Sequence, residues 1–238
     1  MNNIEIFQIL SIIVVFIASI ICLFIAYLIK RRKGVGPSIY IRESCFVKKD
    51  IFLNKKVYTI TPKKVNRTDI ILLYIHGGSY IGGLYKEHWR IFRNLCNDLG
   101  CTIIAPDYPL APKYTYIDVF NFMEPLYKKI IDMINTNNLI LAGDSAGGGL
   151  ALALAQKIGE QDINQPNKLI LISPWLDLSM SNPEIDEVQK RDKVLNKAVL
   201  KIAGELYAGK DGMKKYLVNP INGPFNKLKN VTIFTRNL

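Results

Sequence analysis

The chain has 238 residues, of which 49% are hydrophobic and 21% are charged, and its formal net charge is +11. This length suits one globular domain with an appendage, and the apolar fraction is ample for a core. The lysines are scattered along the chain and are not interleaved with aromatic residues on one helix face, so the positive charge gives no support for nucleic-acid binding.

The first 33 residues are predicted to be a membrane anchor with a basic flank. No residue from Ile9 to Ile29 is charged, and the run is long enough to cross the hydrocarbon core as a helix. A secretory signal peptide would need a basic start, a shorter apolar centre and a small-residue cleavage site, none of which is present. The cluster Lys30-Arg31-Arg32-Lys33 follows the run, while no Lys or Arg precedes it. The positive-inside rule therefore predicts a single-pass cell-membrane protein whose domain lies in the cytoplasm.

Membrane lipid is the partner expected for this segment. The basic cluster either contacts anionic lipid headgroups or serves only as a stop-transfer flank, and the sequence favours neither.

The remaining chain divides into a linker with leading strands, residues 34–56, and a domain, residues 57–238. Alternating apolar and polar residues predict an antiparallel hairpin at Ser44–Val47 and Lys55–Thr61. Further strands and helices follow in turn, which indicates a mainly parallel sheet with helices on both faces. The predicted strands are Ile70–Ile75, Cys101–Ala105, Leu139–Ala142, Lys168–Ile172 and Val231–Thr235, and the predicted helices are Glu87–Leu99, Ile117–Ile134 and Leu150–Ile158.

Residues 183–222 are too many for a plain connection and are predicted to form a helical cap. Their periodicity indicates two helices, near Asp192–Tyr207 and Met213–Val218. Before the cap, Trp175 either lines an acyl site or packs beneath the cap. Asp177 and Asp192 are interpreted as helix-cap or surface residues.

The stretch Gly143-Asp144-Ser145-Ala146-Gly147 joins a predicted strand to a predicted helix, which is the pattern of a nucleophile elbow. In this turn the serine backbone is strained, and glycines two residues away on either side avoid a clash with the strand and the helix. The alternative is a glycine-rich turn that holds a phosphate. A phosphate loop would also contain a Lys before its Ser or Thr, and this Lys is absent.

Two more motifs precede the elbow. His76-Gly77-Gly78-Ser79-Tyr80 follows a predicted strand, and its glycines would let backbone N–H groups approach a developing oxyanion closely. The other motif is Asp107-Tyr108-Pro109-Leu110-Ala111-Pro112. The three motifs in this order resemble those of the hormone-sensitive-lipase-like α/β-hydrolases, a family of esterases, lipases and acetyl-hydrolases. The resemblance covers roughly residues 57–235.

The resemblance implies an α/β-hydrolase fold and a small ester as substrate, with neither a metal nor an organic cofactor. Ser145 would be the nucleophile, and the N–H groups of Gly77, Gly78 and Ala146 would form the oxyanion hole. His76 would organise the oxyanion loop. The motif residues Gly143, Asp144 and Gly147 would support the elbow, with Asp144 as a structural acceptor rather than the acid of the catalytic triad.

The activating part of the triad is not found in the sequence. In this fold the acid and then the histidine follow the serine, but the two histidines of the chain, His76 and His88, both precede Ser145. His88 is interpreted as an exposed or a packing residue. We therefore expect an impaired hydrolase lacking the C-terminal acid and histidine segments. A truncated gene product, a fragmentary record and a non-catalytic, membrane-tethered binding pseudoenzyme are the alternatives.

The four cysteines show no metal-binding spacing, and a cytoplasmic domain gives little reason for a disulfide. Cys45, Cys96 and Cys101 are therefore predicted to be small core residues.

Overall fold

The computed structural model describes residues 34–64, 69–210 and 212–235. The predicted membrane anchor and its basic flank lie outside these residues, so the prediction is not tested by the structure. Within the described ranges, none of the helices combines the length and the apolarity needed to cross a bilayer.

The described strands form one seven-stranded sheet in the order β1-β2-β4-β3-β5-β6-β7. The strand β1 pairs with β2 and β2 pairs with β4 in antiparallel fashion, and the remaining neighbours are parallel. The predicted hairpin and the mainly parallel sheet are therefore confirmed. The strands are β1 Cys45–Phe52, β2 Lys55–Pro62, β3 Ile71–Ile75, β4 Thr102–Pro106, β5 Leu139–Asp144, β6 Lys168–Ile172 and β7 Val231–Phe234.

Helices cover both faces of the sheet, as the alternation of elements predicts. On one face, α1 and α2 pack through residues such as Ile41, Trp89 and Phe92. On the other face, α3, α4 and α6 pack through residues such as Met123 and Leu154. The helices are α1 Ile39–Ser44, α2 Lys86–Leu99, α3 Tyr116–Ile131, α4 Ala146–Glu160, α5 Ile185–Arg191 and α6 Lys197–Ala208.

The prediction for the cap is wrong in its bounds: the helix predicted near Asp192–Tyr207 begins only at Lys197, and a separate helix that was not predicted, α5, precedes it at Ile185–Arg191. Asp192 ends α5, and its Oδ1 accepts hydrogen bonds from the N–H groups of Val194 and Leu195, at 2.7 and 3.0 Å. Asn196 then caps α6 through a hydrogen bond from the Val199 N–H. The second predicted helix is only a short 3₁₀ turn, Gly212–Lys214, with turns after it.

The sheet register brings the two glycine-rich motifs together. In the parallel pair of β3 and β5, Ile75 lies beside Gly143. Parallel strands end at the same edge of a sheet, so the loop that begins at His76 and the turn at Ser145 leave the sheet as neighbours. The topology therefore places the candidate site at the carboxyl ends of β3 and β5.

Candidate active site

Ser145 occupies a strained turn between β5 and α4. Its backbone angles are φ 51° and ψ −121°, which for a residue with a side chain costs about 1–3 kcal/mol and persists only where the surroundings fix it. The Ser145 N–H donates to the Ile172 carbonyl at 2.9 Å. The Ser145 carbonyl accepts from the N–H groups of Gly149 and Trp175, at 3.1 and 2.9 Å. The helix starts directly after the serine, four residues earlier than predicted.

The glycines on either side of Ser145 are required by close backbone contacts. A Cβ atom on Gly147 would lie 2.1 Å from the Ile75 carbonyl oxygen and 2.5 Å from that of His76. A Cβ atom on Gly143 would lie 2.4 Å from the Gly147 carbonyl oxygen. Because these neighbours are backbone atoms of the sheet and helix, they cannot move aside. The turn that the motif predicts is thus the one the structure contains.

The loop after β3 is a tight turn centred on Gly78. This residue has φ 123°, and a Cβ atom there would lie 2.7 Å from the Gly82 carbonyl oxygen. The Gly78 carbonyl accepts hydrogen bonds from the N–H groups of Ile81 and Gly82, at 3.0 and 2.8 Å. Ser79 and Tyr80 between them also have positive φ angles, 53° and 61°. The loop therefore has a fixed backbone at the edge where the elbow lies.

Asp144 joins the loop to the elbow. Its Oδ1 accepts hydrogen bonds from the Gly77 N–H at 2.9 Å and the Tyr74 hydroxyl at 3.0 Å. It also lies 3.3 Å from Nε2 of His88. Burial by itself would raise the pKa of the Asp144 carboxyl, but the interactions with His88, Gly77 and Tyr74 outweigh burial, and the pKa lies below its ordinary value. Asp144 is thus an ionised acceptor at the elbow.

This contact corrects the predicted set of oxyanion donors. The Gly77 N–H is engaged by Asp144 and is not available to a substrate oxygen. By contrast, the N–H groups of Gly78, Ser79 and Ala146 donate to no acceptor within residues 34–64, 69–210 and 212–235. Gly78 and Ala146 belong to the predicted set, whereas Ser79 does not. Ser79 cannot be recognised from the glycine pattern, because any residue other than proline can donate a backbone N–H, whatever its side chain.

His76 is fully buried beneath the loop. Its Nδ1 donates to the Gly77 carbonyl at 2.7 Å, and its ring stacks on Tyr108 with 4.4 Å between ring centroids. The Tyr108 hydroxyl donates to the His76 carbonyl at 2.8 Å, so the third motif supports the first. Burial lowers the pKa of His76 to about 4, which keeps the imidazole neutral near pH 7. These contacts support the loop-organising role that the resemblance implies.

His88 is buried, which excludes the exposed alternative. Its Nδ1 accepts from the Tyr85 N–H at 2.9 Å, so the opposite nitrogen, Nε2, carries the proton that points to Asp144. Sequence reasoning did not find this contact, because 56 residues separate the two side chains. In the described part of the chain, no hydrogen bond joins Ser145 to either histidine.

The other predicted candidates lie in local structure. Asp177 accepts hydrogen bonds from Ser179 and Ser181, and it belongs to a turn like that of Asp192. Trp175 packs 5.8 Å from the ring of Tyr80, which stacks on Tyr207 of α6 at 3.7 Å. The indole thus lies beside Tyr80, which separates it from α6. Cys45, Cys96 and Cys101 are buried free thiols, as predicted, and the described residues contain no cluster of metal-ligating side chains.

The sheet is mainly parallel, and its central strand leads through a strained serine turn into a helix. A glycine-rich loop follows the neighbouring strand. Together these features define an α/β hydrolase. The sequence profile of the family described as alpha/beta hydrolase fold matches residues 72–238. The chain therefore belongs to this family.

Known proteins agree with this assignment. An esterase of Acinetobacter venetianus is 31% identical over 152 residues, which are 63% of this chain and 47% of that one. An acetyl-hydrolase of Streptomyces hygroscopicus is 28% identical over 158 residues, 66% of this chain and 53% of the relative. A solved esterase from the bacterial hormone-sensitive lipase family, 22% identical, has the same fold, with a TM-score of 0.75 over 80% of this chain and 64% of its own. The chain spans about half the length of these two curated relatives.

The glycine contacts at the elbow predict a sharp difference between two glycine substitutions. Gly147→Ala should lower the free energy of unfolding by about 1–3 kcal/mol or more, because its Cβ would overlap backbone carbonyls. Gly36→Ala is the matched control, since a Cβ there meets nothing within 4 Å. Urea unfolding followed by tryptophan fluorescence measures both. Equal stability of the two variants would contradict the packing described for the elbow.

The buried His76 predicts a loss of stability in mild acid. Its pKa is about 4 in the folded chain and about 6.5 when unfolded. Between these values only the unfolded state binds the proton, so stability falls as the pH is lowered from about 6.5 to 4, by about 3 kcal/mol in all. Urea unfolding at several pH values measures this slope. The slope should flatten in His76→Asn, and a native chain that is equally stable at pH 7 and pH 4.5 would refute the assignment.

Proposed function

We propose that the protein is a membrane-anchored carboxylic-ester hydrolase in which Ser145 is the nucleophile. The observation that carries this proposal is the coincidence of a strained serine turn with unengaged backbone N–H groups next to it. Strain of this kind persists when the surroundings impose it, and it is concentrated at functional sites. A turn kept only for packing has no need of either feature.

In the proposed reaction, the Ser145 hydroxyl attacks the ester carbonyl and its proton passes to a base. The carbonyl oxygen becomes an oxyanion, which accepts hydrogen bonds from the N–H groups of Gly78, Ser79 and Ala146. The base returns the proton to the leaving oxygen as the tetrahedral intermediate collapses, which releases the alcohol and leaves an acyl-serine that water hydrolyses to the carboxylic acid. The N-terminus of α4 adds a favourable field at the oxyanion.

A small ester with a short acyl or acetyl group is the proposed substrate. The names of the esterase and acetyl-hydrolase relatives support this class. The crowding of Trp175, Tyr80 and Tyr207 beside the elbow also favours a short acyl group. A Cβ atom on Gly149, in the first turn of α4, would already lie 2.2 Å from the Trp175 carbonyl.

The base that the reaction needs is not supplied by either histidine in residues 1–238. His76 donates through Nδ1 to a backbone carbonyl and is held neutral by burial, and His88 is engaged by Asp144 and by the Tyr85 N–H. We therefore propose that these 238 residues retain only the contribution of the oxyanion hole and binding. That contribution is roughly 10³–10⁴-fold over water in triad enzymes.

A membrane-tethered binding protein without catalysis is the second candidate, and the engaged state of both histidines favours it. The two candidates differ in whether Ser145 reacts. The same fold and the same affinity for small esters are compatible with either one.

Labelling with a fluorophosphonate and hydrolysis of p-nitrophenyl acetate test the proposed nucleophile. We expect slow labelling and slow turnover, both lost in Ser145→Ala and retained in Ser179→Ala, an exposed serine in a turn. Added imidazole should raise turnover above the rate of imidazole without protein only in chains that contain Ser145, because it replaces the base that the site lacks.

Three outcomes would contradict the proposal. Labelling that survives Ser145→Ala would exclude this serine as the nucleophile. Rapid turnover without imidazole that is lost in His88→Gln would show that a base is already present. A folded chain that retains ester-sized ligands but never acylates would establish the binding protein instead.

We further propose that residues 1–33 anchor the protein in the cell membrane, with the domain in the cytoplasm. The support is the uncharged run Ile9–Ile29 and the basic cluster after it. Because Cys45, Cys96 and Cys101 are buried, a reporter thiol has to be introduced on the surface. Lys48 is suitable, since its side chain is 74% exposed.

The proposed orientation predicts the reactivity of a Lys48→Cys variant. A membrane-impermeant maleimide should not modify it in intact cells and should modify it after lysis. The unaltered chain, whose described thiols are buried, is the control for background labelling. Efficient modification in intact cells would place the domain outside the membrane, and recovery of the chain in the soluble fraction would exclude the anchor.

A further inference from the structure

A cavity lies away from the candidate active site, between helix α2 and the N-terminal segment. Its volume is about 420 Å³. The segment is held across the helix by two hydrogen bonds: the Val35 N–H donates to the Leu84 carbonyl at 2.8 Å, and the Trp89 indole N–H donates to the Val35 carbonyl at 2.6 Å. These two bonds hold Val35 against the start of α2 beside the cavity.

One face of α2 makes the wall of this cavity basic. Lys86, Arg90 and Arg93 all line it, together with Trp89. Their spacing in the helix puts them on one side, since residues three, four and seven apart share a face. None of the three cations forms an ion pair with a carboxylate in the part of the chain that the structure describes. Three unpaired cations around one cavity favour an anionic occupant.

The guanidinium of Arg93 gives a second indication of a ligand. Its Nε atom is buried, yet it has no hydrogen-bond partner among the described residues. A buried donor without an acceptor costs free energy comparable to a lost hydrogen bond. An anion in the cavity would supply an acceptor once the Arg93 side chain turns its guanidinium toward it, and arginine has the fork geometry that suits phosphate oxygens.

The N-terminal segment adds Gly36, Ser38 and two large, partly apolar side chains to the lining of the cavity. Val35 and Tyr40 line it, with 40% and 66% of their surfaces exposed, and the neighbouring Ile39 is 67% exposed. Trp89 also lines the cavity and is itself 1% exposed. A simple inorganic anion would leave these apolar surfaces uncovered, whereas an anion with a hydrocarbon part would cover them as well.

We propose that this cavity, the α2 pocket, binds the headgroup of an anionic phospholipid. The phosphate would lie between Arg90 and Arg93, and the start of an acyl chain would lie against Val35 and Tyr40. The position in the chain supports this ligand, because Val35 follows the basic cluster Lys30–Lys33 and the predicted membrane span by only a few residues. Basic residues next to a span attract anionic headgroups. The proposal does not depend on catalysis at Ser145.

Quenching of Trp89 by brominated lipid tests the α2 pocket directly. The chain has two tryptophans, so a full-length Trp175→Phe chain reports on Trp89 alone. It is placed in neutral detergent micelles that contain brominated phosphatidylglycerol or, as the zwitterionic control, brominated phosphatidylcholine. We expect half-quenching by phosphatidylglycerol at a mole fraction about tenfold lower than by phosphatidylcholine.

A charge-matched pair of variants separates the pocket from the net charge. Arg90→Gln with Arg93→Gln should remove the preference for phosphatidylglycerol. Lys190→Gln with Arg191→Gln removes the same charge from the surface of α5 and should preserve it. Circular dichroism of both variants confirms that each is folded.

Four results would overturn the proposal. They are equal quenching by the two lipids, no saturable quenching by either, a preference that survives in the Arg90 and Arg93 variant, and complete relief of quenching by millimolar inorganic phosphate. The last result would mark a site for a soluble anion rather than for a lipid. None of the four affects the assignment of Ser145, which the acylation experiment tests separately.

Discussion

The candidate site depends on one carboxylate oxygen. Oδ1 of Asp144 receives a backbone N–H from the oxyanion loop, a hydroxyl from β3 and an imidazole from α2, within 2.9–3.3 Å. Because Asp144 directly precedes Ser145, these three contacts fix the elbow relative to the loop. Loss of the carboxylate would leave a partly buried N–H, a hydroxyl and an imidazole without their shared acceptor. We therefore propose that Asp144 positions the elbow and is not the acid of a triad.

The sheet imposes a second constraint, because the site exists only where β3 and β5 end side by side. The register of Ile75 with Gly143 brings the first turn of α4 so close to the end of β3 that a Cβ atom on Gly147 would lie 2.1 Å from the Ile75 carbonyl oxygen. Only glycine fits at position 147. This close approach of the α4 backbone to the β3 backbone thus fixes the strained serine turn and the start of α4, and it places the loop after β3 beside them. Tyr108 of the third motif stacks on the His76 ring and donates a hydrogen bond to the His76 carbonyl, which completes this packing.

Much of this arrangement is predictable from sequence, because a glycine is needed wherever another part of the backbone comes too close for a Cβ atom. Gly143, Gly147 and Gly78 each stand where a Cβ would clash, and the apolar runs give the five strands after the hairpin to within one or two residues, whereas the first hairpin strand extends five residues further than predicted. Interactions that leave no local pattern are missed. The contact of His88 with Asp144 joins distant residues, and the free N–H of Ser79 does not depend on its side chain. The start of α6, which periodicity places near Asp192, is delayed to Lys197 because Asp192 and Asn196 cap the backbone N–H groups that follow them.

The central claim is that Asp144 engages the Gly77 N–H and thereby leaves Gly78, Ser79 and Ala146 as the oxyanion donors. A crystal structure of the full chain acylated at Ser145 by a phosphonate tests it most directly, because the phosphonyl oxygen stands in for the oxyanion. The account predicts that this oxygen lies about 2.7–3.1 Å from the three backbone nitrogens, with the Gly77 N–H still on Asp144. A phosphonyl oxygen bound instead by the Gly77 N–H, with Asp144 displaced, would contradict it.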